Sequence, residues 1–106
     1  MMHPTPDLDL MRRFKERAQA ALPGRVARVV LFGSRARREA GPTSDWDLAV
    51  FLRQGATCAD TTKLADAAYD LMLETGQVIH PIALPDNGHD APRLLLGEIE
   101  RDGVSV

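Results

Sequence analysis

The chain of 106 residues predicts an α/β domain, a small sheet flanked by helices. Three observations carry that prediction. Segments with helical spacing of apolar residues alternate with short β-branched, apolar runs. Proline and glycine fall singly between these segments, as stop signals rather than as linkers. The composition, 44% hydrophobic and 26% charged, is that of an ordinary folded core.

The elements follow in order. From Asp7 to Leu22, apolar Leu10, Phe14, Ala18 and Leu22 recur every fourth residue with charged residues between them, so this stretch is an amphipathic helix with Thr5 or Asp7 near its N-cap. Pro23-Gly24 ends it. Arg25 to Phe32 (RVARVVLF) is β-branched and apolar and predicts a strand, buried on both faces at its end. After Gly33-Ser34, Arg35 to Ala40 has room for a short helix that Gly41-Pro42 stops. Asp47 to Leu52 (DLAVFL) predicts a second buried strand. Thr57 to Thr75 is helical, with Leu64, Ala67, Ala68, Leu71 and Met72 on one face and Gly76 closing it. Gln77 to Leu84 (QVIHPIAL) predicts a third strand, and Pro81, which lacks an N–H, places it at an edge or a bulge. Pro92 to Glu100 is a last helix before a short tail, Gly103 to Val106. The expected order is αβαβαβα.

Size and charge narrow the function. A chain of this length is one domain and leaves no room for a two-domain enzyme. Thirteen basic against 15 acidic residues give a net charge of −2, which disfavours nucleic acid as the main partner and leaves only a local basic patch to consider. One cysteine, Cys58, excludes a disulfide framework and a cysteine-based zinc site. No apolar run reaches the roughly 20 residues of a bilayer span, and the N-terminus has no apolar signal region, so a cytoplasmic domain without a membrane role is expected.

Chemistry concentrates in FGSRARREAGPTSDWDLAV, residues 32–50. Gly33 allows a tight turn and close approach of a ligand to the backbone. The start of the following short helix offers N–H groups to phosphate oxygens, and the Ser34 hydroxyl can add a hydrogen bond. Asp45 and Asp47 are two apart at a strand start, with side chains on one face and Cα atoms about 6.5–7 Å apart. Such a pair can hold Mg²⁺ against substrate phosphates. The pattern is neither a nucleophile elbow nor a P-loop.

Gly-Ser followed ten residues later by Asp-x-Asp resembles the polymerase-β-like nucleotidyltransferases in their minimal, single-domain form, similar to the MNT antitoxins of HEPN/MNT toxin–antitoxin pairs. The resemblance spans most of the chain, and the C-terminal APRLLLGEIERDGVSV is similar to the family's closing helix and short strand. It implies a small mixed sheet flanked by helices and transfer of a nucleotide from a nucleoside triphosphate, ATP or another NTP, to an acceptor hydroxyl. Asp45 and Asp47 match the family's metal-binding, catalytic pair. Gly33 and Ser34 match its phosphate-contacting turn, and Arg35 is the nearest basic residue for nucleotide binding. The acceptor implied is a hydroxyl of a helical HEPN-type partner protein. One departure stands out. Catalytic members carry a third carboxylate on the next strand, whereas Gln77 to Leu84 has none, and His80 is the titratable residue in that place. As a substitute it could act as a base, but imidazole is a poor Mg²⁺ ligand. A second departure is Arg38-Glu39, where many relatives have glycine.

Each feature also has a plainer reading. Ser34 can be a helix N-cap; Arg35, Arg37 and Arg38 can be a solvated helix face; Trp46 points away from the aspartates and suits core packing or a partner surface. His80, Tyr69 and Cys58 can be structural, and His3 and His89 have no partner motif. Three functions therefore stand: an Mg²⁺-dependent nucleotidyltransferase that adenylylates a partner protein, a catalytically weak or inactive module that neutralises its partner by contact, and a regulatory nucleotide-binding domain. A domain this small offers little concave surface for an acceptor, which favours a protein partner or a second copy completing the site.

Overall fold

The amphipathic stripe of the first helix is a direct guide to the core. In the computed structural model, which describes residues 6–33, 35–37, 45–86 and 93–106 (side chains from residue 9), helix α1 spans Pro6–Ala21. Its predicted stripe, Leu10, Phe14, Ala18 and the following Leu22, is buried at 4% exposure or less. Thr5 lies outside the described residues, and Asp7 falls inside the helix rather than at its cap, because proline takes an early helical position where its missing N–H costs nothing.

Strands β1 (Val26–Phe32), β2 (Trp46–Leu52), β3 (Ile79–Pro85) and β4 (Val104–Ser105) form one mixed sheet in the order β3-β2-β1-β4. Helix α2 (Cys58–Thr75) connects parallel β2 and β3, and α3 (Arg93–Asp102) precedes β4. β1 runs antiparallel to both β2 and β4. The order among described residues is thus αββαβαβ. The helix expected over 35–40 is not among these elements: residues 35–37 form a turn, and 38–44, which include Arg38, Glu39, Gly41 and Pro42, lie outside the described residues. The expected tail forms β4, the short closing strand that the resemblance implies: Val104 and Ser105 pair with the free edge of β1, and the Val106 N–H donates to the Val29 carbonyl. Among the described residues β3 is an edge strand paired only with β2, which is where Pro81 can sit without breaking a ladder on both sides.

Alternation along the strands makes two apolar layers. On one side α1 and α2 pack through Phe14, Leu64, Ala68 and Leu71 onto Val29, Leu31, Trp46, Leu48, Val50 and Leu52. On the other, Ile99 of α3 packs with Val30, Phe32, Ala49, Phe51 and Leu84. Among the described residues no helix is long and apolar enough to cross a membrane.

The start of α2 carries a polar fixture. Thr57 Oγ1 accepts from the Asp60 N–H at 3.2 Å and Asp60 Oδ2 accepts from the Thr57 N–H at 3.0 Å, a capping box. At the other end Gly76 takes a left-handed φ of 72° and its N–H donates to the Met72 carbonyl. Thr57→Ala removes one half of the box and is expected to cost about 1 kcal/mol. A urea titration should show that loss as a lower midpoint with an unchanged slope.

Candidate nucleotide-transfer site

The strand directions decide which residues meet. Because β1 is antiparallel to β2 and β3 is parallel to it, the end of β1 and the starts of β2 and β3 share one edge of the sheet. Phe32 is paired with Asp47, and Asp47 with His80. Trp46 enters the layer of α1 and α2, whereas Ala49 and Phe51 belong to the α3 side, so alternation puts Asp47 on the α3 side of the sheet. Asp45, exposed and two residues ahead, lies at the mouth of the same strand. The predicted orientation of Trp46 away from the aspartates is the one observed, with Trp46 5% exposed.

Gly33 takes a left-handed φ of 77°, and its carbonyl accepts from the Ala36 and Arg37 N–H groups at 3.1 and 3.2 Å. A Cβ on this residue would stand 2.5 Å from Asp47 Oδ2, so the aspartate carboxylate rests directly against the Gly33 backbone. The other carboxylate oxygen, Oδ1, lies 3.3 Å from His80 Nδ1. Asp47 is thus confined on two sides, with 27% of its side chain exposed and His80 at 63%. Gly33→Ala is expected to cost about 1 kcal/mol from the backbone conformation and to push the carboxylate out of place. Any chemistry that uses this carboxylate should therefore fall far more than thermal stability, a contrast seen by assaying ligand binding and melting on one preparation.

The two described arginines of the basic cluster point to different partners. Arg35 stacks 4.0 Å over the Trp46 ring and lies 3.5 Å from Gln77 Oε1, which also accepts from Trp46 Nε1 at 2.9 Å. Arg37 turns to α3, 3.2 Å from Glu98 and 4.0 Å from Asp102. Ser34 and Arg38 lie outside the described residues. The acids nearest the missing third position stay apart from the site. Glu74 pairs with Arg13, and Asp86 follows the far end of β3, where its N–H donates to Leu52.

The donor set bears on metal binding. Asp45 and Asp47 supply hard carboxylate oxygens, and Mg²⁺ is commonly held by one or two carboxylates plus substrate phosphates, so these two residues fit that ion. Among the described residues no group of three or more His, Cys, Asp or Glu is placed to hold a metal. A surface hollow between α1 and α2, lined by Arg17, Lys63, Asp66 and Asp70 among others, lies on the helical side and away from this chemistry.

Three features escaped the sequence reading. The bridging role of Gln77 and the contact of Gly33 with Asp47 depend on segments brought together by the sheet. The third is an ion pair between half-buried Arg25 and buried Asp60 at the opposite end of β1. Arg25 donates to both oxygens of Asp60, at 2.7 and 3.0 Å, and to the Gly55 carbonyl at 2.7 Å. The guanidinium hydrogen bonds lower the Asp60 carboxyl from 3.8 to about 2, helped by the Thr57 hydrogen bonds and opposed by burial. The T-x-x-D pattern of the capping box was readable in the sequence; the partner 35 residues away was not.

A family model, "Polymerase beta, Nucleotidyltransferase", matches residues 15–106. The chain belongs to the polymerase beta nucleotidyltransferase family. A comparison with curated proteins finds no match. Among solved structures, this nucleotidyltransferase is similar to a chain of a toxin–antitoxin crystallised with AMP-PNP, with a TM-score of 0.68 and 18% identity over 89% of this chain and 69% of the other. A mutant of the toxin–antitoxin MntA-HpeT gives a TM-score of 0.66 at 15% identity, over 89% and 69%. The tri-AMPylated HEPN toxin of Shewanella oneidensis in complex with MNT antitoxin gives 0.63 at 16% identity, over 95% and 71%. The shared feature is the fold, which is the mixed, helix-flanked sheet expected of a minimal nucleotidyltransferase.

Proposed function

We propose that this chain is the antitoxin of a HEPN/MNT toxin–antitoxin pair, a cytoplasmic Mg²⁺-dependent nucleotidyltransferase that transfers AMP from ATP to a hydroxyl of its partner. The observation that carries the reading is the edge of the sheet where Gly33 backs the carboxylate of Asp47, two residues after Asp45. Family membership supplies the reaction class, and the structural neighbours, one with AMP-PNP and one an AMPylated toxin, support the nucleotide and the acceptor class.

In this reading Asp45 and Asp47 hold Mg²⁺, which when bound neutralises phosphate charge. The turn at Gly33 lets the triphosphate approach the backbone, and Ser34 adds a hydroxyl contact. Arg35 stacks on Trp46 and faces Gln77, so its side chain braces the turn from the α1–α2 side of the sheet, and its part in nucleotide binding is carried by its place next to the turn. The acceptor hydroxyl oxygen forms a bond to the α-phosphorus and releases its proton to water as the bond from that phosphorus to the oxygen bridging to the β-phosphate breaks, and pyrophosphate leaves. The chain's own part is positioning and charge neutralisation. The exposed mouth of β2 leaves the acceptor surface to a second molecule.

The test is incubation of the chain and its co-expressed helical partner with labelled ATP and Mg²⁺. Label on the partner, lost in Asp45→Asn, is the expected result. The absence of a third carboxylate beside Asp47, where His80 stands instead, favours a second reading in which the domain neutralises its partner by contact. Neutralisation that survives Asp45→Asn and Asp47→Asn, with no label on the partner, would establish that reading and overturn the first.

A further inference from the structure

The place of the third carboxylate is occupied by a residue with a different task. We propose that His80 is a positioning residue that holds the Asp47 carboxylate for a divalent cation by donating a hydrogen bond from Nδ1, and is not itself a ligand. The inference rests on the metal-dependent reading above.

Three observations support it. The parallel register sets His80 directly beside Asp47, so the contact is dictated by the β2–β3 ladder rather than by a loop. The contact runs from Nδ1 to Oδ1 at 3.3 Å. A carboxylate accepts hydrogen bonds, so the proposed contact uses the tautomer with the hydrogen on Nδ1; that nitrogen then has no lone pair to offer a metal, and whether Nε2 does is read by the imidazole coupling below. The second oxygen, Oδ2, is backed by Gly33, whose missing side chain gives it room. The carboxylate is therefore held from two sides, and its rotation is restricted before any cation arrives. Carboxylates that bind metals are commonly fixed by such outer hydrogen bonds, and removing one typically weakens metal binding by about 10- to 100-fold. The His80 ring is 63% exposed, so its removal leaves the core untouched.

Mn²⁺, read by electron paramagnetic resonance with saturating AMP-PNP, is the probe, and the proteins are the full chain, His80→Ala and His80→Asn. The Asn amide can donate from nearly the position of Nδ1. His80→Ala should bind Mn²⁺ about 10-fold more weakly and His80→Asn close to wild type. Pulsed measurements on wild type should show no coupling of Mn²⁺ to an imidazole nitrogen. Equal Mn²⁺ affinity in wild type and His80→Ala would overturn the positioning role alone. Imidazole coupling, or failure of Asn to restore affinity, would make His80 a ligand and likewise overturn it. A wild-type chain that binds no Mn²⁺ would instead overturn the metal-dependent reading and this inference with it.

Discussion

Asp47→Asn is expected to lower AMP transfer to the partner by at least about 10³-fold while the fold stays intact. Asparagine has nearly the same shape, so it still fits against Gly33, and its carbonyl can still accept from His80. What it loses is the negative charge with which Asp47 would hold a divalent cation. Asp47 is half-buried at the sheet edge and pairs with no arginine or lysine among the contacts described, so stability should move by only about 0.5 kcal/mol. The measurement is label incorporation per minute beside a thermal melt of the same sample. Transfer above one-tenth of wild type would remove Asp47 from the chemistry. A fall in activity matched by a fall in melting temperature would assign it a structural role instead.

Asp60→Ala is expected to be strongly destabilising, by about 2–3 kcal/mol. It removes the buried carboxylate of a two-pronged ion pair and leaves the half-buried Arg25 facing the Gly55 carbonyl without that counter-charge. It also removes the acceptor for the Thr57 N–H. For a domain of this size that loss should lower the melting temperature by roughly 10–20 °C. The pH dependence follows from the same pair. Asp60 has its carboxyl lowered from 3.8 to about 2 in the folded chain, so the unfolded chain binds the proton more readily. The stabilisation is therefore complete above the unfolded value and is lost as pH falls from about 4 towards 2. Melting curves between pH 6 and pH 2 should show a steep acid loss in wild type and a shallower one in Asp60→Asn. Equal slopes would mean that the pair does not drive acid unfolding.

These two aspartates differ in how visible they are from the chain alone. Asp47 belongs to a short motif: Gly33, a spacing, and two acids entering a β-branched run. Asp60 looks like any acid in the first turn of a helix, because its partner Arg25 lies on another element and contact between them exists only after β1 and α2 have packed. Arg35 and Arg37 show the same divide. As a sequence they form one basic cluster, but consecutive turn residues point in different directions, and the fold gives one to Trp46 and the other to Glu98. The four-residue stripe of α1 and the uninterrupted apolar run of β2 were readable because burial there depends on local period alone.

By itself, then, the sequence determined the three long helices and the three long strands, restricted β3 to an edge or a bulge through Pro81, and set out the glycine and the two aspartates of the motif. These are local properties, set by backbone sterics and by which side chains water excludes. Tertiary structure decided what the motif leaves blank. The antiparallel β1–β2 pairing brings Gly33 against Asp47, the parallel β2–β3 register brings His80 to the same carboxylate, and the C-terminal residues become a strand because β1 has a free edge. Those contacts join residues far apart in the chain, and strand direction and register, which no short window of sequence contains, are what select them.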